Sequence, residues 1–223
     1  SHELAKRLSD SGEEVIVIGP SAKADREYDS RQKFKVVRTP WYEFGYLRFI
    51  PIFFVMPYLI FRHKIKKVIA MNIAYGGLIA YLFFKISGFS YYLWAYGYEF
   101  GKFEKNKFMR RLYQKIYGNA VFVAAITNYV KDRLINFGVK PEKIILVKPG
   151  TDPKKYYPLS VGDDFRQKYN LKNKKIVISV SRLIERKGID MTIRAMKTVV
   201  EAHPDALYAV IGQGPFKNRL EEI

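Results

Sequence analysis

The residues with the clearest chemical potential lie in a basic turn near the end of the chain, VSRLIERKG. An apolar run precedes this turn, and an amphipathic helical pattern follows it. Arg182 and Lys187 therefore lie where a strand ends and a helix N-terminus offers backbone N–H groups. Two cations beside such a terminus can hold a diphosphate. The turn predicts a phosphate-binding site, and a solvated loop is the alternative that the turn alone leaves open.

A pair of glycines follows the next apolar run, in the sequence ALYAVIGQGPFKNRL. Gly212 and Gly214 match the first two positions of the dinucleotide-binding pattern G-x-G-x-x-G, but Lys217 occupies the third. Close packing of the helix against a nicotinamide or flavin cofactor is therefore not supported. The pair predicts either a tight turn or a ligand loop.

The composition excludes several other kinds of chemistry. The 223 residues include no cysteine, which excludes a disulfide framework, a thiolate zinc site, an iron–sulfur cluster and a cysteine nucleophile. The three histidines, His2, His63 and His203, are scattered along the chain. We therefore expect no histidine-rich metal centre, and carboxylates, Lys, Arg, hydroxyls or backbone groups must carry the chemistry. The metal-free chemistry, with no other cofactor, that we predict is implied by the family resemblance described below.

The positive charge of the chain is concentrated in its middle. The formal net charge is +18, and residues 31–148, with 21 basic and 5 acidic side chains, carry +16 of it. Such a field attracts phosphates, nucleic acid or anionic lipid. Solubility alone is the alternative explanation.

The elements that must position these residues form an alternation of short apolar strands and helices, which is typical of a parallel α/β sheet. A proline-rich stretch, PGTDPKKYYPLS, interrupts the alternation. We predict a domain over 1–150 without the strand that usually opens such a sheet, a linker with a short helix over 151–173, and the beginning of a second domain over 174–223. The predicted strands are EEVIVIGP, KFKVVRTP, KKVIAMN, FSYYLWAYG, AVFVAAIT, KIILVKPG, KKIVISVSRL, which we expect to be buried, and ALYAVIG.

Two apolar runs raise the question of a membrane. The 13 uncharged residues Phe49–Phe61 are too few to cross a hydrocarbon core of ~30 Å as a helix. The run Val68–Phe84 has 17 residues and predicts a buried strand, a glycine turn and a buried helix. The N-terminus predicts a charged amphipathic helix rather than a signal peptide. We therefore expect a cytoplasmic protein with peripheral contact on the cytosolic face of the membrane.

A basic segment over residues 101–117 combines six cations and one acid with aromatic and aliphatic side chains. Phe108, Leu112 and Ile116 recur at helical spacing and predict one apolar stripe flanked by cations. Such a stripe is typical of a helix on anionic lipid or of a groove for a lipid-linked pyrophosphate. Packing of the stripe on the core of its own domain explains it equally well.

The two glycine- and cation-bearing clusters together resemble a known family. SRLIERKGIDMTIRAM followed by HPDALYAVIGQGPFKNRLEEI is similar to the donor-binding half of the family 4 retaining glycosyltransferases. ITNYVKDRLINFGVKPEKIILVKPGTDPKKYYP resembles the interdomain passage of that family, and LAKRLSDSGEEVIVIGP its first helix and second strand. The resemblance implies an α/β fold of the GT-B type, with a parallel-sheet, Rossmann-like N-terminal domain on the acceptor side and the start of a second, Rossmann-like domain.

The resemblance also implies roles for particular residues. Arg182 and Lys187 bind the diphosphate of a nucleoside diphosphate sugar and neutralise it as it leaves, and the backbone at Gly212 and Gly214 lies beside the nucleotide. Retention of configuration needs no separate strong base in this family. The implied activity is transfer of a hexose to an acceptor, lipid-linked in one interpretation, at the cytosolic face of the membrane.

Three acidic or aromatic positions complete the set of candidates. Tyr96 precedes Gly97 where the family often has a His-Gly pair facing the reacting sugar, and a tyrosine can hydrogen-bond a sugar hydroxyl; an ordinary aromatic at a strand end is the alternative. Glu99 is a single acid in a basic, aromatic region and becomes an acceptor-side candidate. For Asp152 we prefer a turn-forming, interdomain role over a catalytic one.

The resemblance further implies that the sequence is truncated at both ends, before its first strand and glycine loop and after Ile223. Two other hypotheses remain open at this point. One is a nucleic-acid or polyanion-binding α/β protein without catalysis, although no RNA-recognition or zinc-finger motif is present. The other is an inactive fragment of the transferase.

Overall fold

The computed structural model of the chain describes residues 2–21, 25–40, 50–103, 106–158 and 163–223. It separates into two compact units, Ser1–Gly150 and Thr151–Ile223. Every pair of hydrogen-bonded strands in both units is parallel among these residues. All eight strands predicted from the apolar runs are present, and the α/β fold class is confirmed.

The first unit alternates helices and strands along most of its length. Its elements are α1 (His2–Asp10), β1 (Ile16–Pro20), α2 (Asp25–Ser30), β2 (Lys35–Thr39), α3 (Ile50–Arg62), β3 (Lys67–Ala70), α4 (Leu78–Ser87), β4 (Ser90–Ala95), α5 (Tyr98–Phe103), α6 (Lys107–Asn119), β5 (Val123–Ala125), α7 (Asn128–Phe137) and β6 (Ile144–Leu146).

The strands of the first unit form two parallel sheets. One sheet consists of β1 and β2, and the other has the order β3-β4-β5-β6. In the larger sheet each pair of neighbouring strands is joined by at least one helix, as parallel strands require. The carboxyl ends of β3, β4 and β5 therefore lie at one edge of the sheet, the edge at which open α/β sheets bind ligands.

The core of the first unit lies between the middle strands and the helices α6 and α7. Leu93 and Ala95 on β4 and Val123 on β5 are completely buried, as are Ile116 on α6 and Leu134 on α7. A parallel sheet covered by helices on both faces has nearly continuous apolar strands. All three residues of β5 are buried, whereas on β4 the buried residues Tyr91, Leu93 and Ala95 alternate with the partly exposed Tyr92 and Trp94.

Local signals position the helices that follow the strands. The Asn72 side chain accepts hydrogen bonds from the backbone N–H groups of Tyr75 and Gly76, at 3.0 and 3.3 Å, and so caps a single π-helical turn, Ile73–Gly77, that leads into α4. A Cβ at Gly77 would come within 2.9 Å of the Leu93 side chain. A side chain at this position would therefore displace Leu93, and glycine lets the turn lie directly against β4.

The apolar stripe predicted on the basic segment belongs to the core in its second half. Ile116 is completely buried, Leu112 packs against the core, and only Phe108, at the beginning of α6, is exposed. The stripe is not a continuous exposed surface, because the buried side of α6 is made by Tyr113, Ile116 and Tyr117. Of the two explanations, packing on its own domain accounts for Leu112 and Ile116.

The second unit is smaller and also consists of parallel strands connected by a helix. It contains α8 (Asp163–Lys168), β7 (Lys175–Val180), α9 (Ile189–Ala202), β8 (Ala206–Ile211) and α10 (Lys217–Glu221), and β7 pairs with β8 over six residues of each strand. We expected KKIVISVSRL to be buried, but Ile178 and Val180 are exposed. Two strands with α9 packed on β8 leave part of each sheet face uncovered within this unit.

Candidate functional site

The basic turn of the second unit begins directly at the carboxyl end of β7. The strand ends at Val180, a single 3-10 turn covers Glu185–Lys187, and α9 begins at Ile189. Gly188 links the two with a φ of 63°, a left-handed conformation that costs a glycine little. The chain therefore runs from strand to basic turn to helix N-terminus, as the sequence predicts.

Hydrogen bonds join this turn to the glycine turn that follows β8. The N–H of Ser181 donates to the carbonyl of Ile211 at 3.0 Å, and the N–H of Leu183 donates to that of Gln213 at 2.9 Å. In the opposite direction, the N–H of Phe216 donates to the carbonyl of Leu183 at 3.0 Å. The ladder between β7 and β8 thus continues beyond the strands and holds the two turns side by side.

The glycine pair makes this close approach possible. A Cβ at Gly212 would overlap the carbonyl oxygen of Ser181, and a Cβ at Gly214 would overlap the carbonyl of Leu183. Gly214 also has a φ of 159°. Both glycines therefore contact the backbone of the basic turn, and the structure brings all four predicted donor-site positions to one edge of the two-stranded sheet.

Arg182 and Lys187 extend from this edge into solvent. Both side chains are exposed, and neither forms an ion pair with another residue in the part of the chain that the structure describes. The first turn of α9 contributes backbone N–H groups beside them, with no side-chain cap on Gly188. The arrangement can accept an anionic group without first breaking a salt bridge.

A second group of predicted residues lies at the carboxyl edge of the larger sheet in the first unit. Tyr96 follows the last residue of β4, and Glu99 is in the first turn of α5. Between them Gly97 has a φ of 96°, and a Cβ there would lie 3.0 Å from the Val130 side chain. The turn between β4 and α5 is therefore packed tightly against the beginning of α7.

The side chain of Glu99 is buried beneath this turn. Its Oε1 atom accepts a hydrogen bond from the Tyr96 backbone N–H at 3.0 Å and one from the Tyr117 hydroxyl at 3.4 Å. The Oε2 atom is buried and has no hydrogen-bond partner among the described residues. Burial raises the pKa of Glu99, although the hydrogen bonds from backbone N–H groups and from Tyr117 oppose the shift.

Tyrosines surround the Glu99 carboxyl group. Burial and the neighbouring carboxylate hold the pKa of Tyr117 well above its usual value, and burial raises the pKa of Tyr113 to about 12. Both hydroxyl groups therefore remain protonated and able to donate hydrogen bonds. Sequence reasoning did not assign a role to these two residues, but their i, i+4 spacing on the basic helix is the signal that places both on its buried side.

Tyr96 itself is partly exposed and stacks on a neighbouring aromatic ring. The ring centroids of Tyr96 and Tyr98 lie 6.3 Å apart with planes inclined by 23°. Burial, followed by the proximity of Tyr98 and Glu99, raises the pKa of the Tyr96 hydroxyl. The site can present phenol hydroxyl groups and aromatic faces to a bound molecule, which suits recognition of a sugar or of an apolar chain.

Asp152 forms a turn. Its Oδ1 accepts a hydrogen bond from the Lys154 N–H at 3.0 Å, and its carbonyl accepts bonds from Lys155 and Tyr156. These hydrogen bonds form the turn that the sequence predicts at Asp152, and its interdomain role stays a prediction. Among the described residues, no group of three or more His, Asp or Glu side chains could hold a metal ion, and no helix has the length and apolar character needed to cross a membrane.

The fold and the two edges define the class of the protein: a two-unit parallel α/β protein with a basic turn at the strand ends of its second unit. Its family follows from sequence comparison. A model described as Glycosyltransferase Family 4 matches residues 1–155, and a model described as Glycosyl transferases group 1 matches residues 161–223. The chain belongs to glycosyltransferase family 4, because the first match alone covers more than half of it.

Curated relatives are similar at a modest level. The chain is 27% identical over 217 residues to the GDP-mannose-dependent alpha-(1-6)-phosphatidylinositol monomannoside mannosyltransferase of Mycolicibacterium smegmatis, covering 94% of this chain and 55% of that protein. It is 31% identical over 101 residues to mannosylfructose-phosphate synthase of Agrobacterium fabrum, covering 44% of this chain and 22% of the relative. The chain thus spans about half the length or less of these relatives.

Solved structures show the same fold. The HepE protein of Anabaena in complex with UDP and glucose superposes with a TM-score of 0.75 at 17% identity, covering 99% of this chain and 60% of that one. Sucrose-phosphate synthase of Thermosynechococcus elongatus superposes with a TM-score of 0.69 at 16% identity, covering 93% and 54%. The likeness assigns the α/β units to the GT-B fold, as the sequence resemblance implied.

Proposed function

We propose that this chain is part of a retaining glycosyltransferase that moves a sugar from a nucleoside diphosphate sugar to an acceptor. The observation that carries the proposal is the pair of exposed cations, Arg182 and Lys187, in the turn held against Gly212 and Gly214. Membership of glycosyltransferase family 4 supports it. Residues 1–150 form the acceptor-side domain, and residues 174–223 begin the donor-binding domain.

The chemistry of the leaving group explains why two cations are needed. Cleavage of the glycosyl–phosphate bond builds negative charge on the diphosphate, and fixed positive groups aimed at that charge stabilise the transition state. Arg182 offers a planar guanidinium that can hold two phosphate oxygens, and Lys187 adds a point charge. The N–H groups at the start of α9 contribute in the same direction.

On the acceptor side, we assign Tyr96 to hydrogen bonding of a sugar hydroxyl at the edge of the larger sheet. Glu99 was the second catalytic candidate, and its buried position favours a positioning role beneath Tyr96. Its Oε1 holds the Tyr96 backbone through the 3.0 Å hydrogen bond. A direct contact between Glu99 and substrate stays a prediction.

The acceptor belongs to the lipid-linked class in our proposal, and the protein works as a peripheral protein at the cytosolic face of the membrane. The charge of +16 over residues 31–148 supports this class. A relative named for its action on phosphatidylinositol monomannoside gives independent support. This assignment concerns the class of acceptor and leaves its headgroup open.

Calorimetric titration of the full-length polypeptide with UDP and with GDP tests the donor site. We expect the double variant Arg182→Ala, Lys187→Ala to raise the dissociation constant at least about a hundredfold, because each of the two charged hydrogen bonds contributes ~1.5–3 kcal/mol. The matched control is Arg194→Ala, Lys197→Ala, which removes the same two residue types from exposed positions further along α9. The control is expected to bind like wild type.

If the protein instead binds polyanions through its general positive charge, the two double variants are expected to lose affinity equally. Binding by a general positive field weakens steeply with salt and is reduced similarly by any two removed cations. Equal losses in the two double variants, together with undetectable selectivity for a nucleoside diphosphate over inorganic pyrophosphate, would contradict the proposal. Release of nucleoside diphosphate from a nucleotide sugar in the presence of an acceptor then measures the transfer itself.

A further inference from the structure

The helix α3 presents a row of large apolar side chains to solvent. Ile50, Phe54, Tyr58 and Phe61 follow one another at intervals of four, four and three residues, which places them within about a quarter of the helix circumference. Phe54 is 69% exposed, Tyr58 63% and Phe61 58%. We call these four residues the aromatic face of α3.

The opposite side of the same helix is firmly attached to the first unit. Met56, Leu59 and Ile60 are buried, and Met56 and Ile60 belong to the main core. The rings of Phe53 on α3 and Phe83 on α4 meet at 5.5 Å. The buried side of α3 is therefore well packed against the first unit, and poor packing of the helix does not explain the exposure of the aromatic face.

The neighbouring helix α4 also exposes apolar side chains. On α4, Leu82 and Ile86 are exposed one turn apart, while Ile79 and Ala80 are buried. Two adjacent helices thus each turn apolar side chains outwards. Scattered exposed hydrophobic residues are normal in proteins, but a contiguous row of aromatics marks a surface for interaction.

Charge distinguishes among the partners that such a surface could meet. Residues 44–98 contain no Asp or Glu. Arg62, Lys64 and Lys66 are exposed just beyond the end of the aromatic face, and Lys85 is exposed in the last turn of α4. None of these four forms an ion pair with a described residue, whereas Lys67 pairs with Glu13 at 3.6 Å.

We infer that the aromatic face of α3, with the cations at the ends of α3 and α4, docks on the surface of an anionic lipid bilayer. This surface deepens the proposed function, since it rests on the lipid-linked acceptor for its purpose. Aromatic side chains insert at the level of the headgroups, and unpaired cations bind the negative surface. A second copy of the chain is a poorer partner, because self-association through this face brings like charges together.

Co-sedimentation of the full-length polypeptide with vesicles measures the docking. Vesicles of phosphatidylcholine alone are compared with vesicles that contain phosphatidylglycerol as well. We expect strong binding to the anionic vesicles, weak binding to the neutral ones, and loss of binding at high salt. Undetectable binding to anionic vesicles at low salt overturns the inference.

Two sets of variants assign the binding to this surface. Phe54→Ser, Tyr58→Ser, Phe61→Ser is expected to lower the partition coefficient at least about tenfold. Its control is Phe108→Ser, Tyr129→Ser, two similarly exposed aromatics on α6 and α7, which leaves binding unchanged. Circular dichroism and thermal unfolding confirm that each variant is folded.

The second set removes charge. Arg62→Gln, Lys64→Gln, Lys85→Gln is expected to weaken binding to anionic vesicles by roughly fivefold for each charge. Arg111→Gln, Lys115→Gln, Lys140→Gln removes the same residue types from exposed positions of the same unit and is expected to have a much smaller effect. A larger loss in this control moves the docking surface to α6 and overturns the inference.

Two further measurements separate the possible outcomes. Light scattering reports whether the aromatic variant dissociates an oligomer; dissociation without any change in vesicle binding shows a second copy of the chain on this face and overturns the inference. Titration with UDP and GDP in the absence of lipid is independent of docking. If the wild-type protein binds nucleotide but does not bind vesicles, the inferred docking surface is wrong, while the proposed sugar transfer is not contradicted.

Discussion

The backbone N–H of Tyr96 donates a hydrogen bond to the buried Oε1 of Glu99, 3.0 Å away. The exposed aromatic candidate at the strand end is therefore held from below by the acidic candidate three residues later. The same carboxylate oxygen accepts a hydrogen bond from the Tyr117 hydroxyl. This bond links the edge of the sheet to the buried side of α6. Tyr96 and Glu99 therefore form one hydrogen-bonded structural unit, and their catalytic roles stay predictions.

Replacing Glu99 by Gln tests the cost of burying its charge. Because burial raises the pKa of Glu99 in the folded protein, its ionised form destabilises the fold, and this cost grows as the pH rises above the ordinary value of 4.5. At pH 4 and below, the protonated carboxyl and the amide are nearly equivalent. We expect the melting temperature of Glu99→Gln, relative to that of wild type, to increase as the pH rises from 4 to 7.

Thermal unfolding followed by circular dichroism across that range measures the difference. Glu142→Gln is the control, because Glu142 is exposed and we expect no comparable trend. A constant difference between Glu99→Gln and wild type at every pH would show that the effect comes from the altered hydrogen bonds rather than from the proton.

Removal of the Tyr96 hydroxyl tests its proposed contact with a sugar. In Tyr96→Phe the ring and its stacking on Tyr98 remain, and the backbone hydrogen bond to Glu99 is unaffected. We expect kcat/KM for transfer to fall about tenfold, the equivalent of one hydrogen bond worth ~1.4 kcal/mol, with unchanged affinity for UDP or GDP. Tyr98→Phe is the matched control, and equal losses in both variants argue against a specific role for Tyr96.

Addition of a methyl group at Gly212 or Gly214 tests the close approach of the two turns. Gly212→Ala and Gly214→Ala each force a Cβ into a backbone carbonyl of the basic turn. We expect each to lower the free energy of unfolding by about 1–3 kcal/mol and to weaken nucleotide binding. Gly118→Ala is the control: this glycine lies in α6 with open space around it, and alanine favours a helix by up to about 1 kcal/mol.

Denaturant unfolding of these variants gives the free energies directly. A free energy of unfolding for Gly212→Ala equal to that of wild type would contradict this prediction. It would mean that the two turns can separate without loss of stability, so their hydrogen bonds would not position Arg182.

Conservative exchange at Arg182 tests whether its shape matters as well as its charge. A guanidinium holds two phosphate oxygens at once, whereas an ammonium is a point charge. We expect Arg182→Lys to bind UDP or GDP with an affinity between those of wild type and Arg182→Ala. The measurement is calorimetric titration, and full affinity in Arg182→Lys would show that charge alone is recognised.

The basic helix shows where prediction from sequence reached its limit. Helical spacing predicted one stripe of Phe108, Leu112 and Ile116, but Phe108 is exposed and Ile116 is completely buried. The same spacing describes a stripe that faces lipid and one that faces a core. The decision lies with the elements packed beside α6, and Ile116 is buried in the main core. The exposed aromatic face of α3 is not predictable from the apolar run of residues 49–61. The length of such a run excludes a membrane-spanning helix but does not tell which of its side chains are exposed.

The sequence by itself determined the parallel α/β fold and the positions of the strands, because these depend on apolar periodicity and on local turn residues that act over a few positions. The family followed from the resemblance of its motifs to those of the family 4 glycosyltransferases. The sequence also located Arg182, Lys187, Gly212 and Gly214 as one candidate site. Only the tertiary structure decided that the two glycines contact the backbone of the basic turn, that Glu99 lies beneath Tyr96, and that Phe54, Tyr58 and Phe61 remain exposed. Burial depends on which surfaces meet across long separations in the chain, and local pattern does not contain that information.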